Sequence, residues 1–252
     1  MLAADTRISY QDGSIADVQK IQGFACENAM YAIVHSAHDA NAANSLIGEI
    51  IIKVEGAAPD NHTALEVAVK EVLRDWYVPV HDDRPVIQLL LGACIKGESQ
   101  RALYLCEPPN TVSRVYENYK AIGDGWRIAN PIYTWFEDRA QWEPHACLCQ
   151  ISYMMYRAKK LLPGTIGGGT DVAVLTEPDT VPCWINRFDM AKAEAYGVIL
   201  DRHLSNLASV VVGKVPRGVE DILKTAEGIH SCGLLYAAVN FRCQFSDKTI
   251  KQ

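Results

Sequence analysis

Amphipathic helical segments in this chain come in adjacent pairs set between groups of apolar strands, and that grouping restricts its fold more than any other feature. Leu2 to Tyr10 reads as a strand, Gln11-Asp12-Gly13-Ser14 as a turn, Ile15 to Ile21 as an extended segment and Met30 to His35 as an apolar strand. Asp39 or Ser36 can cap the helix that follows. This helix, Ala40 to Val54, carries Ala43, Leu46, Ile47, Ile50 and Ile51 at helical spacing. Thr63 to Trp76 is its partner, with Leu65, Val69, Val72 and Leu73 inward. Val86 to Ile95 and Gln100 to Cys106 read as a hairpin across Lys96-Gly97-Glu98-Ser99, and a third strand lies around Tyr119 to Ile122 before Gly123-Asp124-Gly125. A second helix pair follows at Arg127 to Arg139 and His145 to Leu162, then a strand at Asp171 to Thr176 and a long helix at Met190 to Val212. Val219 to Gly228 (helix) and Leu234 to Phe245 (strand) end the chain. Paired helices between strand groups predict antiparallel sheets with helix layers, an α+β fold of the four-layer αββα type, and not the strict alternation of a parallel sheet.

At 252 residues the chain can bury one large core, and 49% apolar against 21% charged residues excludes a disordered or fibrous class. A net charge of -6 with no Lys/Arg cluster opposes a nucleic-acid role. No apolar run approaches the roughly 20 residues of a membrane span, and no secretory signal precedes Leu2, so a cytoplasmic protein is expected. The eight cysteines are scattered through apolar runs and read as reduced thiols.

Two patterns invite a cofactor or metal reading, and neither sustains it. Gly164 to Gly169 is followed by Thr170-Asp171 and a strand, where a phosphate loop requires Lys, then Ser or Thr, and a helix. His145, Cys147 and Cys149 lie two apart on a helix, so their side chains diverge by about 200° and cannot converge on one ion. No metal and no cofactor is expected.

Ala3-Ala4-Asp5-Thr6-Arg7 followed by Val18-Gln19-Lys20-Ile21 resembles the Asp-Thr-Arg strand and catalytic-lysine strand of proteasome β subunits and their bacterial relatives. IVHSAHDANAA (33–43) is similar to the strand-to-helix passage that carries the family's oxyanion step. YKAIGDG (119–125) and TIGGGTDVAVL (165–175) are similar to two of its turns. The resemblance implies an N-terminal nucleophile (Ntn) hydrolase of threonine type, over residues 1–213, with 214–252 a C-terminal extension packed on the same domain. In such enzymes the hydroxyl of an N-terminal Thr attacks an amide, its own α-amino group takes the proton, a lysine lowers the nucleophile's pKa and a backbone N–H holds the oxyanion. By resemblance, Asp5 and Lys20 form the supporting pair, Ala37 supplies the oxyanion N–H in place of a glycine, and Asp124 stands where a serine accompanies the nucleophile. Gly164 stands near an expected aspartate, and Gly167 where a second serine is expected. The chain begins Met1-Leu2, without the strand that carries the family's Thr. The resemblance further implies self-association into a homo-oligomer and a peptide or protein substrate, the alternative being a non-catalytic assembly subunit.

Overall fold

The computed structural model describes residues 1–9, 14–77, 85–99, 101–117, 119–134, 144–176 and 182–211, and beyond them 224, 226–228, 230, 231, 235, 239 and 243–245. In chain order the strands are Leu2–Asp5 (β1), Arg7–Ser9 (β2), Ile15–Asp17 (β3), Ile21–Cys26 (β4), Ala29–Ser36 (β5), Gln88–Ile95 (β6), Ala102–Glu107 (β7), Thr111–Val115 (β8), Thr170–Val174 (β9), Cys183–Ile185 (β10) and Cys243–Phe245 (β11). The helices are Ala40–Ala57 (α1), His62–Tyr77 (α2), Trp126–Thr134 (α3), Pro144–Leu161 (α4) and Arg187–Val211 (α5).

Strand β5 sets the layers. Its side chains leave the pleat on alternate faces. Ala29, Tyr31 and Ile33 enter one core, while Met30, Ala32 and Val34 enter another. The first core lies between the five-stranded antiparallel sheet β4-β5-β6-β7-β8 and the pair α1 and α2, which contributes Leu46, Ile47, Ile50, Leu65, Val69 and Leu73. The second core is shared with a four-stranded antiparallel sheet, β1-β9-β10-β11, through Leu2, Ala4, Ala173 and Leu175. Leu148 of α4 and Met190 of α5 close the far side of that sheet on Val172 and Ile185. The result is the expected αββα order.

Helices α4 and α5 are pinned by one carboxylate. Asp201 Oδ1 accepts from Tyr153 Oη at 2.8 Å and Arg157 Nη1 at 2.7 Å. Its Oδ2 accepts from Tyr156 Oη at 3.3 Å and Lys160 Nζ at 2.8 Å. Burial pushes the Asp201 carboxyl up, but the hydrogen bonds from Lys160, Arg157 and Tyr153 outweigh it and hold the group at about 2. One turn away, Lys159 Nζ reaches Glu194 at 2.9 Å and Thr170 Oγ1 at 2.7 Å, tying both helices to β9.

Several expectations need correcting. The single strand expected over Leu2 to Tyr10 is interrupted at Thr6, whose N–H bonds to Gly169 O while its carbonyl accepts from Val18, so β2 leaves the sheet to pair with β3. Gln11 to Gly13 lie outside the described residues. β4 and β8 were not expected, because Gly23 interrupts one pattern and Pro108-Pro109 precedes the other. Tyr119 to Ile122 is not a strand: it runs along the cleft described below, and Gly123 N–H bonds to the Gln88 side chain and not to a ladder. Leu235 is helical, so strand in the last segment is confined, among the described residues, to Cys243–Phe245. The boundary between 213 and 214 lies outside the described residues, as does most of Val219 to Gly228. Cys26, Cys94, Cys106, Cys147 and Cys149 are not disulfide-bonded. Cys183 is disulfide-bonded, against the expectation of thiols throughout, because composition does not show which strands meet.

Candidate functional site

The end of β1 and the start of β4 meet at an ion pair. Asp5 Oδ1 accepts from Lys20 Nζ at 2.8 Å, and both side chains are 13% exposed. Asp5 Oδ2 accepts from the N–H groups of Arg7 and Gly167, each at 3.1 Å. Three donors therefore hold the carboxylate in one orientation. The break in the strand at Thr6 produces this arrangement, since Thr6 Oγ1 accepts from Gly169 N at 2.8 Å and donates to Asp17 at 3.3 Å, locking the 167–169 turn against β1. Lys20 is fixed from the other side, where its carbonyl accepts from His35 N–H at 3.2 Å.

The pair lies in a cleft of about 760 Å³. On one side runs β1, whose partner is β9 and whose other edge has no ladder partner among the described residues. The opposing wall is Tyr119 to Gly125, with α3 and α4 contributing Tyr133, Ile151 and Met154. Tyr119 and Tyr133 stack with ring centroids 4.4 Å apart, which stiffens that wall. A sheet edge beside an apolar groove has the geometry that accepts an extended chain, with backbone groups available for pairing and pockets for alternate side chains.

All four residues expected at the site line this one cleft: Asp5, Lys20, Ala37 and Asp124. Ala37 follows β5. Ala58 is the one described non-glycine residue with positive φ, so the φ of Ala37 is negative, which an alanine adopts without strain. The next residues start α1, where Asp39 caps the helix by accepting from Asn41 N at 2.8 Å and Ala42 N at 3.0 Å. That settles the cap between the two candidates, Asp39 and Ser36. Asp124 is exposed in the turn after Gly123. Gly123 has φ +69°, and a Cβ there would come within 2.3 Å of Ser36 Oγ, so glycine is required for the turn to close on β5.

Two departures from the resembled pattern have visible consequences. At Gly167 a Cβ would lie 2.3 Å from Arg7 Cζ, so the Arg7 guanidinium, which donates to Pro163 O at 2.6 Å, occupies the space of the expected serine side chain. Gly164 has open space where a Cβ would be. His35 was not among the residues expected at the site. It is 2% exposed, lines the cleft, and neither ring nitrogen has a hydrogen-bond partner among the described residues. Burial, and then the positive charge of Lys20, push its imidazole down to about 4. Its place at the end of a strand gave no separate signal. No group of three or more potential metal ligands occurs among the described residues, and no described helix is long and apolar enough to cross a membrane.

No family model and no curated protein matches the chain. Solved structures do. A Gly-1 mutant of Anbu from Hyphomicrobium sp. strain MC1 superposes with TM-score 0.67 at 16% identity, covering 86% of this chain and 93% of that one. The helical assembly of the Anbu complex from Pseudomonas aeruginosa gives 0.61 at 16% identity, covering 86% and 92%. Anbu, the ancestral beta-subunit, from Yersinia bercovieri gives 0.60 at 14% identity, covering 86% and 93%. These proteins form a family distinct from the proteasome β subunits, so the sequence resemblance to the proteasome β type is corrected to a likeness in fold to Anbu. Short motifs such as Asp-Thr-Arg mark the shared architecture and do not separate its branches. At this level of identity the comparison establishes the fold: the chain has the proteasome-like Ntn architecture found in Anbu proteins.

Proposed function

We propose that the cleft is the site of an amide-bond hydrolase of the N-terminal-nucleophile type, threonine-type by resemblance, acting on peptide or protein substrates in the cytoplasm. The observation that carries this reading is the Asp5–Lys20 pair at 2.8 Å in the cleft. An ammonium has three N–H donors, and Lys20 spends one on Asp5 Oδ1. The remaining donors and the fixed positive charge favour the anionic form of a hydroxyl or thiol brought beside them, which is how a weak nucleophile is activated. Asp5, held by two backbone N–H groups, keeps Lys20 in place without absorbing its charge into a flexible contact. The attacking residue would be presented by an extended segment laid along the open edge of β1. Its hydroxyl proton passes to its own α-amino group and from there to the leaving amine. The developing oxyanion is received by the Ala37 N–H, since Asp39 already occupies the N–H groups of Asn41 and Ala42.

A second reading, a non-catalytic assembly subunit, is favoured by one observation: Arg7 fills the space of the serine expected at Gly167. Self-association is common to both readings. It is carried over from the helical assembly formed by the Anbu complex of Pseudomonas aeruginosa.

The test is hydrolysis of a quenched-fluorescent peptide mixture by the protein purified from its natural source, beside the Lys20→Ala variant. The hydrolase reading expects turnover that falls by about a hundredfold or more in Lys20→Ala, the scale of losing an activating group. Turnover unchanged in that variant contradicts it. Absence of turnover by the natural protein does too, and favours the assembly subunit.

A further inference from the structure

Helix α4 turns three faces to three neighbours, and the helical period assigns its residues among them. Leu148 packs on Val172 and Ile185 of the four-stranded sheet. Tyr153, Tyr156 and Lys160 reach Asp201 on α5. Cys147, Met154 and Ala158 form the remaining stripe, and that stripe lines the cleft. Gln150 lies on the same side, a turn after Cys147 and only about 40° around the helix from Met154, and it lines the cleft with them. The residue is 8% exposed, and its buried Nε2 has no hydrogen-bond partner among the described residues. Buried side-chain amides are nearly always hydrogen-bonded. An unspent carboxamide on a wall otherwise built from Ile151, Met154 and Tyr133 marks a place where a ligand supplies the partner.

Strand β1 shows which part of a bound peptide arrives there. Leu2 and Ala4 enter the core between the sheets, while Ala3, on the opposite face, packs with Leu148 and Ile151 of α4. A peptide strand laid along the free edge of β1 keeps this alternation. Every second side chain meets Val34 and Leu90 on the floor of the cleft, and those between are directed to α4. Gln150 therefore meets a side chain, because the backbone groups of such a strand lie in the plane of the sheet. A carboxylate there would shed its hydration beside an amide with no charge to compensate it, and an aliphatic chain would leave the amide unpaired. A carboxamide brings an acceptor and a donor together, and pairs with Gln150 whichever way either amide is turned. We propose that Gln150 is a specificity-determining residue, which selects an asparagine or glutamine on the α4 side of an extended peptide whose flanking side chains are apolar. This rests on the reading of the cleft as a peptide site, and is tested apart from turnover.

The probes are three capped tripeptides, acetyl-Val-X-Val methylamides in which X is glutamine, norleucine or glutamate. Binding to the full chain is followed by the ¹⁵N signals of its side-chain amides, the one from Gln150 being assigned by its loss in Gln150→Met or Gln150→Leu. The glutamine probe is expected to move that signal and to bind about fivefold more tightly than the norleucine probe, the scale of one or two hydrogen bonds. The glutamate probe is expected to bind no more tightly than norleucine at pH 7. In Gln150→Met, which keeps the length of the side chain, the glutamine preference is lost. Absence of binding by all three probes, equal binding of glutamine and norleucine, or a Gln150 signal unmoved by the glutamine probe overturns the proposal. So does a glutamate probe that binds more tightly than glutamine, or a glutamine preference that survives Gln150→Met. A glutamine preference without any peptide hydrolysis leaves the assignment of Gln150 intact and removes the hydrolase reading. Hydrolysis without the preference does the reverse.

Discussion

Two carboxylates in this molecule gather positive charge, and they do so to different ends. Asp201, between α4 and α5, receives Tyr153, Tyr156, Arg157 and Lys160, so each oxygen has two donors and every partner is on the neighbouring helix. Asp5, at the end of β1, also has its oxygens engaged, but one of its partners is a lysine with donors to spare at the wall of a cleft. The first is a closed account of charge that holds two helices together. The second leaves a fixed ammonium where another molecule can meet it. Saturation thus separates a structural cluster from a candidate chemical one more clearly than burial or distance, because the ion-pair distances agree at 2.7 to 2.8 Å.

The contrast can be broken by mutation. Asp201→Ala is expected to destabilise the fold most, by about 3 kcal/mol in a urea titration, because it strands Arg157 and two phenols against α5. A loss below about 1 kcal/mol would remove the structural role given to it. The same cluster sets an acid limit. The folded-state pKa of Asp201 is lowered from 3.8 to about 2, so its contribution is complete above about pH 4 and is lost as the pH falls through 2. Circular dichroism on Asp201→Asn should show that stretch of acid dependence flattened.

Smaller effects sharpen the other side. Gly167→Ser must displace the Arg7 guanidinium and is expected to cost about 1–2 kcal/mol. A neutral result would show that Arg7 moves freely and would weaken the case for an assembly subunit. Lys20→Ala is expected to cost about 1–2 kcal/mol, because Asp5 is largely buried but keeps the N–H groups of Arg7 and Gly167 when the ammonium is gone. A collapse in stability there would place Lys20 with the structural cluster. Lys160→Met, whose side chain is 52% exposed, should leave the urea midpoint essentially where it is, because solvent screens its share of the cluster.

The architecture was legible in the sequence where periodicity was long and uninterrupted: α1, α2, α4 and β5 are where their apolar spacing puts them. Of the shorter strands, β7 and β9 were legible too, while β4, β8 and β10 were not. The three residues of β10 have no period of their own, and β4 is broken by Gly23. Site residues were legible only as pieces. Asp5 and Lys20 are fifteen positions apart in a sequence that says nothing of the Thr6 break that folds them together. The state of the His35 ring was invisible for a different reason. An apolar strand ending in histidine looks the same whether its ring nitrogens are satisfied or not, and only the surroundings in three dimensions reveal the difference.

The most direct test of the central claim, that Lys20 supports a reacting group in the cleft, is to locate that group. The natural protein is incubated with a peptide carrying a C-terminal electrophile, digested, and the adduct mapped by mass spectrometry. The account predicts a single labelled hydroxyl or thiol, with labelling suppressed in Lys20→Ala and intact in Lys160→Met. Labelling that proceeds equally in Lys20→Ala, or that maps to a residue remote from the cleft, would contradict it.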